Sequence, residues 1–173
     1  MNAKDLVKST IIFAAVTALL GCATQKPPLL LSGTDSGAGA FVCLEDKAKI
    51  PAFFTRFFKG RDRTSEEEKI EYLLERVRTS PLSFYRNREK FNGQDASEFL
   101  RWKLGRMPTR YHVVIKTADE FIEKVASYSR ASGNPYVVEI PNVGTYPLHQ
   151  VLRNELDVLN TCLNESSEKA STA

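Results

Sequence analysis

Apolar residues return at helical intervals along several stretches of the chain, separated by segments whose spacing is extended. The first stripe is Ile70, Leu73, Leu74 and Val77, positions i, i+3, i+4 and i+7 of one face. Two capping boxes precede it, Thr64-x-x-Glu67 and Ser65-x-x-Glu68, and Pro81 closes it. A second stripe, Ala96, Phe99, Leu100 and Leu104, predicts a helix over 94–105 capped by Asn92. A break follows from Gly105 to Thr109, around Pro108. A third helix opens at the Thr117-x-x-Glu120 box and buries Phe121, Ile122, Val125 and Tyr128. Ser132-Gly133-Asn134-Pro135 stops it, with glycine where φ > 0 is wanted. The last helix follows Pro147 and carries Leu148, Val151, Leu152, Leu156 and Leu159.

The segments between them predict short strands. Leu82 to Phe91 reads as extended, with a tight polar turn over Phe84-Tyr85-Arg86-Asn87-Arg88. Tyr111-His112-Val113-Val114-Ile115 is β-branched and reads as a strand. Tyr136-Val137-Val138-Glu139-Ile140 is the clearest strand, returned by Pro141-Asn142-Val143-Gly144 through Thr145-Tyr146 as a hairpin. Helices alternating with hairpins give an α+β fold, a small single domain of about four helices over 64–163. Ahead of it, 41–63 predicts a helical extension with Phe53, Phe54, Phe57 and Phe58 on one face. Arg56, Lys59, Arg61 and Arg63 accompany the rings, so this face suits either a bilayer surface or packing onto the domain. The stretch 164–173 lacks large apolar residues and predicts a disordered tail.

The start of the chain follows a different logic. Lys4 and Lys8 precede an uncharged, largely apolar run from Ile11 to Leu20, too short to span a bilayer. The run closes on Leu19-Leu20-Gly21-Cys22, which resembles a bacterial lipobox. That resemblance implies cleavage before Cys22 and acylation of its sulfur and new amine, and more than one acyl chain anchors stably. Ala23 resembles the outer-membrane choice under the bacterial sorting rule. Residues 1–21 would then be a signal peptide and 22–40 the anchor and tether, with Pro27-Pro28 followed by a glycine- and serine-rich run. The Asp35-Ser36-Gly37 triplet lies in that run, without the strained turn and partner histidine a nucleophilic serine needs.

Composition narrows the function classes. A formal net charge of +3 among 173 residues is mild, which argues against a nucleic-acid partner. With Cys22 acylated, Cys43 and Cys162 form an even pair in an oxidising compartment. They read either as a disulfide or as two separate thiols.

No catalytic residue, metal site or cofactor motif emerges from the sequence. His112 and His149 have no second ligand at metal spacing, and no CxxC, HExxH or P-loop occurs. The best binding candidates are cationic and polar: Arg86, Asn87 and Arg88 in the predicted turn, and Lys103 on the helix that follows. An arginine fork matches a phosphate or carboxylate. The plain alternative pairs Arg86 with Glu89 or Glu155 and leaves Asn87 to make the turn. Trp102 beside Lys103 suits a core or rim position.

Five short blocks in order resemble the YfeK-like family of small bacterial envelope proteins, a domain of unknown function. They are Ser80-Pro81-Leu82-Ser83-Phe84-Tyr85-Arg86-Asn87, Ala96-x-x-Phe99-Leu100-x-x-Lys103, Thr117-Ala118-x-x-Phe121-Ile122, Ser132-Gly133-x-Pro135-Tyr136-x-Val138 and Pro147-x-x-x-Val151-Leu152-x-x-Glu155-Leu156. The family pattern has glycine where Arg88 stands and histidine where Phe99 stands. The resemblance implies an envelope location and no activity.

These observations predict a lipid-anchored periplasmic binding or accessory lipoprotein of a bacterial outer membrane. It would hold membrane lipid through Cys22, meet an envelope protein or polymer, and bind no nucleic acid. Two alternatives stand beside it. One is an envelope enzyme acting on cell-wall or lipid material, for which Glu98, Glu155 and His149 are the residues to replace. The other is a structural lipoprotein laid against the membrane through Phe53–Phe58.

Overall fold

A computed structural model describes residues 41–171, and Cys22, the expected signal and the expected tether lie outside them. After a short 3-10 turn at Lys47–Lys49, α1 spans Ile50–Phe57 and α2 Glu66–Thr79. The hairpin β1 (Ser83–Arg86) and β2 (Glu89–Phe91) leads into α3 (Gly93–Tyr111) and α4 (Ala118–Lys124). A second hairpin, β3 (Val137–Ile140) and β4 (Gly144–Pro147), precedes α5 (Leu148–Ser171). The fold is α+β, with four α-helices from α2 onward and a fifth, α1, within the predicted helical extension.

The two hairpins join along their inner strands. The sheet order is β2-β1-β3-β4, antiparallel throughout, with Phe84 opposite both Phe91 and Val138, and Val138 opposite Tyr146. Phe84 and Val138 are buried on the face that meets the helices, while Tyr85 and Glu139 bond each other at 2.5 Å on the other. Asn87 and Arg88 make the first turn alone, with φ of 52° and 71°. That is the two-residue turn whose twist suits a hairpin, so Phe84, Tyr85 and Arg86 belong to the strand and not, as expected, to the turn.

Helix ends show why the predicted boundaries moved. Ser65 caps α2 by accepting from the Glu68 amide, whereas Thr64 bonds the Asp62 carboxylate. Thr117 caps α4 by accepting from the Glu120 amide. The predicted break at 105–109 is absent, because α3 runs through Gly105 and Pro108 to Tyr111. Both residues are exposed, and buried Met107 holds the last turns against the core. His112, at φ 54°, closes the helix as the amide of Val113 reaches back to the Met107 carbonyl at 3.2 Å. The strand expected over 111–115 therefore does not form. Helix α4 ends earlier than predicted, its C-cap at Val125, and Tyr128 is exposed in the loop beyond. Helix α5 continues to Ser171, through most of the stretch expected to be disordered.

The phenylalanine face turns inward. Phe53, Phe54 and Phe58 are buried and Phe57 is half-buried, and three of the rings lie 5.4–5.8 Å from Tyr72 of α2. Four rings bury far more apolar area by packing on α2 and α5 than by resting on headgroups. Of the two readings the sequence left open, these residues take packing onto the domain, and the candidate membrane-facing role of Phe53, Phe54, Phe57 and Phe58 is corrected. Among the described residues no helix is long and apolar enough to cross a membrane.

A buried ion pair ties three segments together. Arg76 of α2 forms two bonds to Glu155 of α5, and its remaining nitrogen reaches Glu45 at 3.0 Å. Glu155 also accepts from the Leu44 amide at 2.7 Å, while Asn154 donates to the Val42 carbonyl at 2.9 Å. The segment before α1 is thus fastened to α5. Cys43 sits inside that segment and Cys162 two turns beyond Glu155, and no disulfide joins them in the structure.

Candidate cationic cleft

Helix α3 supplies one wall of the site. Phe99, Trp102, Lys103, Arg106 and Arg110 recur at three- and four-residue steps, which places them along one face. Arg86 at the end of β1, Tyr136 before β3, and Ser129 and Arg130 of the loop after α4 complete a cleft of about 200 Å³. Five of its lining side chains are cationic, and none is acidic.

The guanidiniums lie on aromatic rings. Arg86 stands 4.4 Å from the Phe99 centroid, Arg106 4.5 Å from Trp102, and Arg130 4.4 Å from Tyr111, which Arg110 approaches at 5.9 Å. Phe99 in turn meets Tyr136 edge-on at 5.8 Å. A guanidinium laid flat on a ring keeps its N–H edge for another partner. Among the described residues none of these four arginines forms an ion pair, and the buried Nε of Arg86 has no acceptor. Glu89 stands opposite Arg86 in the hairpin register, yet no ion pair joins them.

Lys103 is the buried member, only 5 % exposed. Its ammonium donates to the carbonyls of Val125 and Tyr128 at 2.6 and 2.7 Å and to the Tyr136 hydroxyl at 3.2 Å. All three N–H bonds are spent on protein, so it charges the cleft and braces its wall without being available as a direct ligand contact. Burial, and then the guanidiniums of Arg130 and Arg86, lower its pKa to about 8. Burial pushes the Tyr136 hydroxyl up to about 12, so it keeps its own proton to donate.

The sequence candidates therefore divide. Arg86 and Lys103 share the cleft. Asn87 and Arg88 instead line a shallow surface with Tyr85 and Glu139, and the Asn87 oxygen accepts from Ser132 at 2.5 Å, bracing the turn against the 126–135 loop. Glu155 pairs with Arg76 and not with Arg86. Glu98, His112 and His149 are exposed, and Glu98 accepts from Gln94 one turn earlier. Among the described residues no group of three metal-ligating side chains gathers. Arg106, Arg110 and Arg130 escaped the sequence reading. The first two carry a visible signal, the step of three and four from Phe99, which a helix ended at Gly105 cuts short.

Fold and site together define a small α+β domain with one cationic, ring-walled cleft between helix and sheet. The chain belongs to the DUF5329 family, a family of unknown function whose model matches residues 64–160. It is also similar to the uncharacterised protein YfeK of Salmonella typhimurium, with 42% identity over 72 residues. That stretch covers 41% of this chain and 57% of the relative, so the match spans little more than half of the relative's length. No solved structure matches the chain.

Proposed function

We propose that the chain is a lipid-anchored binding protein of the bacterial envelope whose domain captures an anionic group, a phosphate or carboxylate. The observation that supports it is the cleft itself. Four guanidiniums and a buried ammonium converge on one cavity with no acid to neutralise them. Like charges held this close repel unless an anion sits among them, and ring-stacked arginines present the bidentate edge that a phosphate or carboxylate fits. Residues 64–160 supply every lining side chain, so the cleft falls wholly within the family match.

The anchoring half of the reading is supported by the Lys4 and Lys8 charges, the apolar run and the Leu19-Leu20-Gly21-Cys22 quartet. Tethering raises the effective concentration of the domain at the membrane face, so a weak contact there suffices.

Calorimetric titration of the full chain with inorganic phosphate and with citrate tests the capture. Binding that weakens as salt rises, and that falls at least about tenfold in both Arg86→Ala and Arg130→Ala, supports it. Failure of both anions to bind at low salt overturns it.

A further inference from the structure

The cleft has a neighbour that says more about its ligand, provided the anion-capture reading holds. Arg86, Phe99 and Tyr136 line both the cationic cleft and a slot between α3 and the sheet. The remaining walls of the slot include Phe84, Ala96, Leu100 and Leu148, and the exposed lining is almost wholly apolar. Its volume is about 30 Å³. At roughly 10–15 Å³ per water-sized group, that is room for two or three carbons and no more. An apolar slot offers a water too few polar partners to hold it well, so an apolar group gains by entering.

We propose that the ligand is a small soluble anion carrying a short apolar arm of two or three carbons. The anionic group lies among Arg86, Arg106 and Arg130, and the arm enters the slot past Phe99 and Tyr136. Arg86 marks the boundary, its guanidinium carbon 4.4 Å from the Phe99 centroid and its Nε without an acceptor. The slot is far too short for the acyl chain of a bilayer lipid, which commits the site to a soluble ligand over a membrane headgroup.

Titration of the full chain with a series of alkyl phosphates tests this without any substitution. Propyl phosphate is expected to bind about tenfold tighter than inorganic phosphate, the gain for burying two methylenes, and longer chains to add nothing further. Propan-1-ol, with the arm and no charge, is expected not to compete. In Ala96→Leu, which fills the slot, propyl phosphate should fall to the affinity of inorganic phosphate while the latter is unchanged. Equal affinity for phosphate and propyl phosphate in the unaltered chain overturns the arm and leaves anion capture standing, whereas failure of both to bind overturns the two together. A gain that keeps rising to octyl phosphate overturns the short slot. Binding to phosphatidylglycerol vesicles that propyl phosphate does not displace overturns the soluble ligand.

Discussion

Arg76 and Glu155 stand 79 residues apart in sequence and meet in a doubly bonded ion pair, at 2.9 and 3.1 Å, with Arg76 2 % and Glu155 0 % exposed. Removing one partner strands the other charge in the interior. Glu155→Ala is therefore expected to lower unfolding free energy by about 3–5 kcal/mol in urea denaturation, and Arg76→Ala by a similar amount. The double variant Arg76→Met with Glu155→Leu should recover much of that loss. A loss of function in Glu155→Ala alone then reports unfolding, not a catalytic carboxylate.

Gly93 opens α3 beneath the end of α2, where an added Cβ would fall 2.3 Å from the Val77 carbonyl oxygen and 2.6 Å from that of Ser80. Both obstacles are backbone and cannot swing aside. Gly93→Ala should destabilise by about 2 kcal/mol or more despite the better helix propensity of alanine, with the transition midpoint as the measurement. Unchanged stability would contradict the close approach of the two helices.

Arg88 adopts φ 71° at the second centre of the first hairpin turn, an arrangement that costs a side-chain-bearing residue roughly 1–2 kcal/mol. Arg88→Gly is expected to raise stability by about 1 kcal/mol and to leave phosphate binding unchanged, since Arg88 lies outside the cleft. A tenfold loss of binding would place the site elsewhere.

Lys103 gives the domain a pH signature. Its pKa in the folded chain is about 8, against 10.5 for an unperturbed lysine, so between those values the unfolded chain holds a proton that the folded chain has lost. This group's contribution to stability is complete above the unfolded value and is lost as pH falls through about 8. The raised thiol of Cys162 works in the opposite sense, its contribution fading as pH climbs past its ordinary value. The informative quantity is thus the difference between wild type and Lys103→Met, which should lack the rise from pH 8 to 10. Lys103→Met should also be less stable near pH 7.5, because the carbonyls of Val125 and Tyr128 lose their donor.

Local chemistry was easiest to read in the sequence. The Ser65 and Thr117 N-caps, the turn at Pro141-Asn142 and the positive φ of Gly133 each follow from a few neighbouring residues, and the structure contains all of them. The Glu68 and Glu120 carboxylates, however, turn to Arg61 and to the Lys116 amide instead of closing the boxes. Pro108 misled because a proline interrupts a helix only where its lost bond and ring matter, and here an exposed position and buried Met107 outweigh both. The partners of Arg76 and Lys103 were hidden for another reason. Arg76 finds its carboxylates on α5 and before α1, and Lys103 finds main-chain carbonyls, which every residue owns and no pattern marks. A chain that reads as carrying these cations on its surface instead places them inside, Arg76 in the core ion pair and Lys103 in the wall of the cleft.

Each hairpin closes over a handful of residues, but the seam between β1 and β3 brings Ser83 against Glu139. Arg86 and Tyr136 lie on either side of that seam, one ending β1 and the other just ahead of β3. A folding intermediate with both hairpins formed and the seam still open would own every strand and yet have nowhere to seat an anion. On the anion-capture proposal, ligand protection is then a probe of the final long-range closure, and a chain trapped earlier would not respond to phosphate.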